Sequence, residues 1–174
     1  MAVGTKQSNV TASLDTALAA IDNGKIRSQL LVSSDAFEIA AADIADVNDV
    51  IELTRIPSSA RIHSIMIYSD KLDTHASPTL ATDCGIYLTD GTVKDADAFG
   101  SAVTTGWGDA AGAGTEFITE AGAAAVANIG KKLWEIVGVS TDPLIDYDIN
   151  LRLTAVAATG AAGTLAFSIQ YSLH

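Results

Sequence analysis

Residues 61–70 read RIHSIMIYSD and lie between two short turn sequences, IPSSA at 56–60 and KLDTHASP at 71–78. The run IMIY is made of the β-branched, aromatic and flexible apolar side chains that suit a strand. Its apolar residues would occupy both faces, which is typical of a strand at the centre of a sheet or covered on both sides. The stretch therefore predicts a central β-strand, and it holds no recognisable set of catalytic residues.

Similar patterns on either side of this stretch predict a β-rich domain. Residues 25–40 are interpreted as one long strand or two short ones, and 50–56 as a strand ending at Pro57. Residues 80–89 alternate in character: Leu80, Thr82, Cys84, Ile86 and Leu88 share one face, and Ala81, Asp83, Gly85, Tyr87 and Thr89 share the other. The period-two strands at 149–154 and 165–173 are joined by AATGAAG, which is interpreted as a hairpin loop.

The remaining segments carry weaker patterns. VKDADAFGSAV at 93–103 is interpreted as a short acidic helix, and ITEAGAAAVANIG at 118–130 as a helix stopped by Gly130. KKLWEIVGV at 131–139 is a strand candidate, and the Gly- and Ala-rich 104–117 a long mobile loop. Seven or eight strands with one or two short helices predict a mainly β, jelly-roll-like, two-sheet antiparallel sandwich.

The chain has 174 residues, about the size of one domain. Residues 1–24 are small and polar and are predicted to form an extended N-terminal arm, and residues 25–174 the β-sandwich. The first residues contain no apolar run that could serve as a signal peptide. Residues 153–174 carry no Asp, Glu, Lys or Arg, but their polar interruptions and period of two predict strands rather than a membrane span.

The net charge of −11 argues against two classes of partner. An acidic surface repels phosphates and anionic lipids, and the ten Lys and Arg residues are scattered rather than clustered. Nucleic acid and membranes are therefore not expected as partners. The acidity favours solubility and suits docking onto a larger basic or mixed surface.

Groups that could bind a metal are poorly arranged in the sequence. His63, His75 and His174 show no metal-binding spacing, and a single cysteine excludes a Cys-x-x-Cys motif. DADAFG at 95–100 resembles the start of a calcium loop, but Phe99 and Gly106 occupy the fifth and twelfth positions, where ligands are needed. We therefore expect no metal and no cofactor.

Catalytic groups are equally hard to find. Cys84 lies in a strand pattern and is predicted to be a buried, inert thiol. Asp146 and Asp148 are predicted to be solvated charges, because no partner base accompanies them. These observations predict that the protein is not an enzyme.

Trp107 is either an anchor for contact with another molecule or part of the packing of its own loop.

A resemblance to small virion structural proteins of tailed bacteriophages extends this interpretation. The segment VIELTRIPSSARIHSIMIYSDKLD, followed by TDCGIYLTDGTVKDADAFGSA, is similar to a pattern of strands and turns in that group. The matching positions are Ile56-Pro57, Ala60-Arg61-Ile62, Leu72-Asp73, Asp83, Gly85-Ile86-Tyr87 and Asp95 to Phe99. The likeness covers residues 1–9 and 50–105, with a vaguer similarity in the last two strands.

The resemblance implies a head decoration or cement protein, made in the host cytoplasm and bound to the capsid exterior. Its expected partners are the major capsid protein, whose subunits it would bridge, and further copies of itself in a dimer or trimer. Shell contacts are expected at Lys6, Gln7 and Asn9 of the arm, at Trp107, and at His63 and Tyr68. The alternatives are another virion component, such as a head–tail connector or tail protein, and a carbohydrate-binding β-sandwich.

Overall fold

The computed structural model describes residues 29–108, 114–118 and 128–173, and eight strands lie in these ranges. The strands are β1 (Leu30–Ile39), β2 (Val50–Pro57), β3 (Ala60–Ser69), β4 (Ala81–Leu88), β5 (Val93–Val103), β6 (Gly114–Glu116), β7 (Asp146–Ala155) and β8 (Gly163–Leu173). A 3-10 helix, Ala41–Ile44, follows β1, and a short α-helix, α1 (Leu133–Ile136), precedes β7. The predicted arm, 1–24, and most of the predicted helix at 118–130 lie outside the described residues.

The strands form two antiparallel four-stranded sheets. Sheet A has the order β1-β8-β3-β6 and sheet B the order β2-β7-β4-β5. Most connections cross from one sheet to the other, so strands that follow each other in the chain are seldom neighbours. Eight strands divided in this way make a jelly-roll sandwich, and the predicted fold class is confirmed.

The core lies between the two sheets and is built from aliphatic side chains on their inner faces. Ile65 of β3 and Ile169 of β8 are fully buried on one side, and Ile86 of β4 and Leu151 of β7 on the other. The strand predicted from RIHSIMIYSD occupies an interior position in sheet A, between β8 and β6. Its inner side chains pack in the core, whereas Tyr68 on its outer face is exposed.

The predicted hairpin of the last two strands is wrong. β7 lies in sheet B between β2 and β4, whereas β8 lies in sheet A between β1 and β3. The two strands have matching apolar faces because they line the same core from opposite sides. The 156–162 connection therefore spans the edge of the sandwich rather than turning within one sheet.

The predicted helix at 93–103 is also wrong, because this segment is strand β5 at the edge of sheet B. Its ladder with β4 is irregular, and its backbone passes over the outer face of β4 at Gly85. A Cβ atom at position 85 would lie 2.3 Å from the carbonyl oxygens of Asp95 and Ala96. The outer face of β4, with Asp83, Gly85 and Tyr87, is consequently buried as well.

The predicted strand at 131–139 is wrong as well, because this segment contains the helix α1. The Glu135 carboxylate accepts a hydrogen bond from the Lys132 backbone N–H at 2.7 Å, so the first turn is capped. Leu133 is fully buried, and Ile136, three residues later, packs beside it against the core. This i, i+3 spacing of apolar residues is a helical pattern, which the short length of the segment hides.

Candidate interaction surface

The structure separates the six predicted contact residues into three groups. Lys6, Gln7 and Asn9 lie outside the described residues. His63 and Tyr68 are both exposed on β3, at opposite ends of the strand. Trp107 is buried, with 2% of its surface exposed.

Trp107 shows loop packing, one of the two alternatives for this residue. Its indole N–H donates to the carbonyl oxygen of Val103 at 3.0 Å, and its ring packs against Phe117 with centroids 6.2 Å apart. Its own carbonyl accepts the backbone N–H of Asp73 at 3.0 Å. Trp107 therefore fixes the end of β5 to the loop after β3, and its side chain is not at the surface of the described chain.

His63 occupies a β-bulge near the start of β3, where the register with β8 shifts between Ile62 and Ser64. Its Nε2 atom lies 2.9 Å from the Ser172 hydroxyl. The bulge places His63 at the rim of an apolar pocket of about 290 Å³. The lining includes Ile62, Phe99, Ile118 and Ile136. The arrangement offers a largely apolar cleft, with His63, Asn128 and Lys131 as its polar lining residues.

The outer face of sheet A has an uncharged centre, which is flanked by Glu116 of β6 beside Met66 and by Glu38 near the end of β1. Three adjoining rows cross β1, β8 and β3, and their members are Val32, Gln170 and Ser64; Ser34, Ser168 and Met66; and Ala36, Ala166 and Tyr68. None of these nine side chains is charged, although the protein has a net charge of −11. Depletion of charge is the compositional signal of the centre of a protein interface. Tyr68, one of the predicted contact residues, lies in this surface.

The outer face of sheet B carries paired charges. Arg152 of β7 contacts the Asp83 carboxylate at 2.5 Å, and the other oxygen of Asp83 accepts the Ala102 backbone N–H at 2.8 Å. Arg55 of β2 makes a two-pronged contact with Asp148 of β7, at 2.6 and 3.1 Å. Asp148 is buried, so its predicted role as a solvated charge is wrong, whereas Asp146 is exposed. These charges bind strands of the same sheet to one another.

Asp73 is a buried carboxylate that organises three loops. Its two oxygens accept backbone N–H groups from His75, Thr79, Leu80, Ala158 and Thr159, at 2.7–3.2 Å. Burial alone would raise the pKa of Asp73, but the N–H groups of Thr79, Ala158, Thr159 and His75 together hold it well below its usual range. Asp73 thus joins the β3–β4 loop to the β7–β8 loop, while its own N–H reaches Trp107.

The described residues include side chains of the types that bind metal ions or react as nucleophiles. No group of three or more His, Cys, Asp or Glu side chains in them is placed to hold a metal ion. Cys84 is fully buried, as predicted, and burial raises the pKa of its thiol above the ordinary range, so the reactive thiolate is disfavoured. The carboxylate of Asp73 is occupied by backbone donors. Over the described ranges, no helix is long and apolar enough to span a membrane.

Sequence reasoning missed the outer face of sheet A as a surface, although part of the signal was present. The uncharged run at 153–174 supplies the β8 residues Ala166, Ser168 and Gln170 of this face. The sequence alone does not place β8 beside β1 and β3, so the combined surface becomes visible only with the register.

No protein-family model and no curated protein matches this chain. Solved structures similar to it include chains of two phage capsids. A chain of the cyanophage Pam1 capsid asymmetric unit has a TM-score of 0.59 and 20% identity, over 96% of this chain and 100% of that chain. A chain of the capsid of Ralstonia phage GP4 has a TM-score of 0.58 and 23% identity, over 82% of this chain and 84% of that chain. The protein thus shares its fold with chains found in the capsids of two bacteriophages.

Proposed function

We propose that this protein is a non-enzymatic virion structural protein that binds the outside of a phage capsid and stabilises it by bridging major capsid subunits. The observation that carries the proposal is the likeness in fold to a chain of a phage capsid asymmetric unit, which extends over the whole of that chain.

The internal ties of the molecule support a bridging role. Asp73 fixes two loops through five backbone hydrogen bonds, and Trp107 connects a third segment to them. A rigid body holds separate contact surfaces at a constant spacing. When several weak contacts act together at a constant spacing, attachment is much stronger than any single contact provides.

The proposed shell contacts combine the N-terminal arm with the exposed residues of β3. Lys6, Gln7 and Asn9 supply polar groups from the arm, and Tyr68 supplies an aromatic side chain within the uncharged centre of the outer face of sheet A. His63 adds an imidazole beside the apolar pocket. Trp107 contributes by fixing its loop, because its side chain is buried. The acidic remainder of the molecule favours a shell surface that is basic or mixed in charge.

A carbohydrate-binding module would need a row of exposed aromatic side chains. Within the described residues, Tyr68 is the single aromatic side chain among the exposed large apolar groups, at 38% exposure. This observation favours a protein partner over a sugar. A head–tail connector or tail protein remains the other virion role, and the number of copies per particle distinguishes it from a shell-coating protein.

The test is quantitative mass spectrometry of purified virions of the phage that encodes the protein, with the major capsid protein as the internal reference. A decoration role predicts hundreds of copies per particle, and release of the protein should lower the temperature at which the shell breaks open. A handful of copies would assign the protein to the portal or tail. Its absence from purified virions would overturn the virion role.

A further inference from the structure

Strand β1 differs from the other three edge strands of the sandwich. In natural sheets an edge is protected from pairing with another chain by bulges, by charged side chains or proline, or by being short. β2 has a bulge between Glu52 and Thr54 and ends at Pro57. β5 has three register shifts and carries Lys94, Asp95 and Asp97, and β6 is three residues long.

β1 has none of these features in its first half. Its ladder with β8 is regular over ten residues, from Leu30 paired with Ser172 to Ile39 paired with Gly163. Its first five residues, Leu30–Ser34, are uncharged, and the side chains of Leu30 and Val32 are 53% and 57% exposed. Within the described ranges, no strand pairs with its outer edge. Such an edge is expected to be covered in the working protein.

We propose that β1 pairs with β1 of a second copy of this chain, antiparallel and about a two-fold axis close to Ser33. Two identical antiparallel strands are complementary by symmetry, so each contact is made twice. The resulting dimer joins the two A sheets into one continuous sheet of eight strands. The three uncharged rows of each copy then lie side by side on one face of the dimer.

The distribution of charge selects both the partner and the register. Asp35 and Glu38 lie in the second half of β1, and an axis at either residue would place its carboxylate opposite the same carboxylate of the second copy. An axis at Ser33 instead sets Asp35 opposite Leu31, and Val32 opposite Ser34. Elsewhere two copies, each with a charge of −11, repel one another, whereas the neutral first half of β1 allows a close approach.

The proposed contact gives the shell protein a second copy of itself as a partner, and this pairing does not require the shell. The free protein should be a dimer in solution even if it never occurs in a virion, so the two proposals can fail separately. A trimer would exclude this contact as the basis of assembly, because one antiparallel pair of edges closes with two copies.

The experiment measures the molar mass of the full chain by sedimentation and light scattering over a range of concentrations. The unaltered protein should be a dimer, and Val32→Lys should raise the dimer dissociation constant by roughly tenfold or more, since lysine on an edge opposes pairing. Val93→Lys is the matched control: Val93 is 49% exposed at the start of β5, so the same change on the other sheet should leave the dimer intact.

A charge-pair rescue separates loss of the contact from loss of folding. Val32→Lys and Val32→Glu should each dimerise more weakly than the unaltered protein while keeping its circular dichroism, and an equimolar mixture should form heterodimers. A monomeric unaltered protein, equal weakening by Val32→Lys and Val93→Lys, or an unchanged dimer dissociation constant in both Val32 variants would overturn the proposal.

Discussion

The outer faces of the two sheets differ in what their side chains contact. On sheet B, charged residues bind one another, and the backbone of β5 crosses β4 at Gly85. On sheet A, the three rows across β1, β8 and β3 hold neutral, mostly small side chains. Sheet B therefore uses its outer face to hold the domain together. On sheet A a charged residue of this kind, Glu116, lies at the side of the face, and we propose that the neutral centre contacts other molecules. Substitutions on sheet B should destabilise folding, and those on sheet A should change association.

The largest effect is expected for Gly85→Val. The new side chain would meet two backbone carbonyl oxygens of β5 at a Cβ distance of 2.3 Å, and backbone moves less readily than a side chain. We expect a loss of unfolding free energy at or above the upper end of the range of about 1–3 kcal/mol for overpacking. Urea unfolding followed by fluorescence measures it. Gly160→Ala is the control, because its nearest atom would be at 3.6 Å; equal losses in the two variants would contradict the crossing of β5 over β4.

Asp73→Asn should come next, because an amide cannot accept hydrogen bonds from backbone donors at both of its ends. Leaving two or more buried N–H groups without acceptors should cost about 3 kcal/mol at neutral pH. The measurement is urea unfolding at pH 7. Asp46→Asn is the control for the same change in charge at an exposed carboxylate, and equal losses in the two variants would argue against the role of Asp73.

The same residue predicts a dependence of stability on pH. The pKa of Asp73 is lowered in the folded protein from an ordinary value of 3.8, so the unfolded chain takes up this proton first as the pH falls. The stabilisation is complete above pH 3.8 and is lost as the pH falls below it. Thermal unfolding between pH 5 and about pH 2.5 should show this loss in the unaltered protein and a flatter profile in Asp73→Asn. Identical profiles would contradict the assignment.

Asp83→Ala should have a smaller effect. It removes the partner of Arg152 and the acceptor for the Ala102 N–H, but Arg152 is partly exposed and can regain water. We expect a loss of unfolding free energy of about 2 kcal/mol, below the range for fully buried pairs.

Arg55→Ala breaks an ion pair whose arginine side chain is 55% exposed, and it should lower the unfolding free energy by less than Asp83→Ala does. Chemical unfolding of both variants tests the order, and the reverse order would contradict the role given to Asp83.

The smallest effect on folding is expected on sheet A. Ser168→Lys adds a charge at the centre of the uncharged surface, between Ser34 and Met66. The unfolding free energy should change by no more than about 0.5 kcal/mol, because the position is partly exposed and lies outside the core. Binding of the variant to shells that lack the protein should weaken, as measured by co-sedimentation. Unchanged binding would exclude this face as a shell contact.

The alternation of apolar residues was sufficient to predict most strands and the jelly-roll class, because each of those strands has one face on the core. It failed at 93–103, where the acidic residues of VKDADAFGSAV suggested a helix, although pairing with β4 makes the segment a strand. It also failed at α1, whose single turn is too short to show a helical period.

The candidate surfaces were harder to predict than the strands. Tyr68 was predicted as a contact residue, but the sequence did not show the β8 and β1 residues that lie beside it. The paired charges of Asp83 with Arg152 and of Arg55 with Asp148 join residues far apart in the chain, so no local pattern shows them. The unprotected edge of β1 can be recognised only when it is known that β1 lies at the side of sheet A. Strand order is set by tertiary packing, so it cannot be predicted from any single segment of the sequence.

The position of β8 has a consequence for synthesis on the ribosome. β8 is the last described strand to be made, yet it lies between β1 and β3 inside sheet A, and β7, made just before it, lies between β2 and β4 inside sheet B. Sheet B cannot be completed until β7 has emerged, and sheet A cannot be completed until β8 has emerged. The earlier strands therefore lack these partners through most of translation. A chain that stops before residue 163 lacks β8, and with it Ala166, Ser168 and Gln170 of the neutral face. Prematurely terminated chains are thereby kept out of any assembly that this face makes.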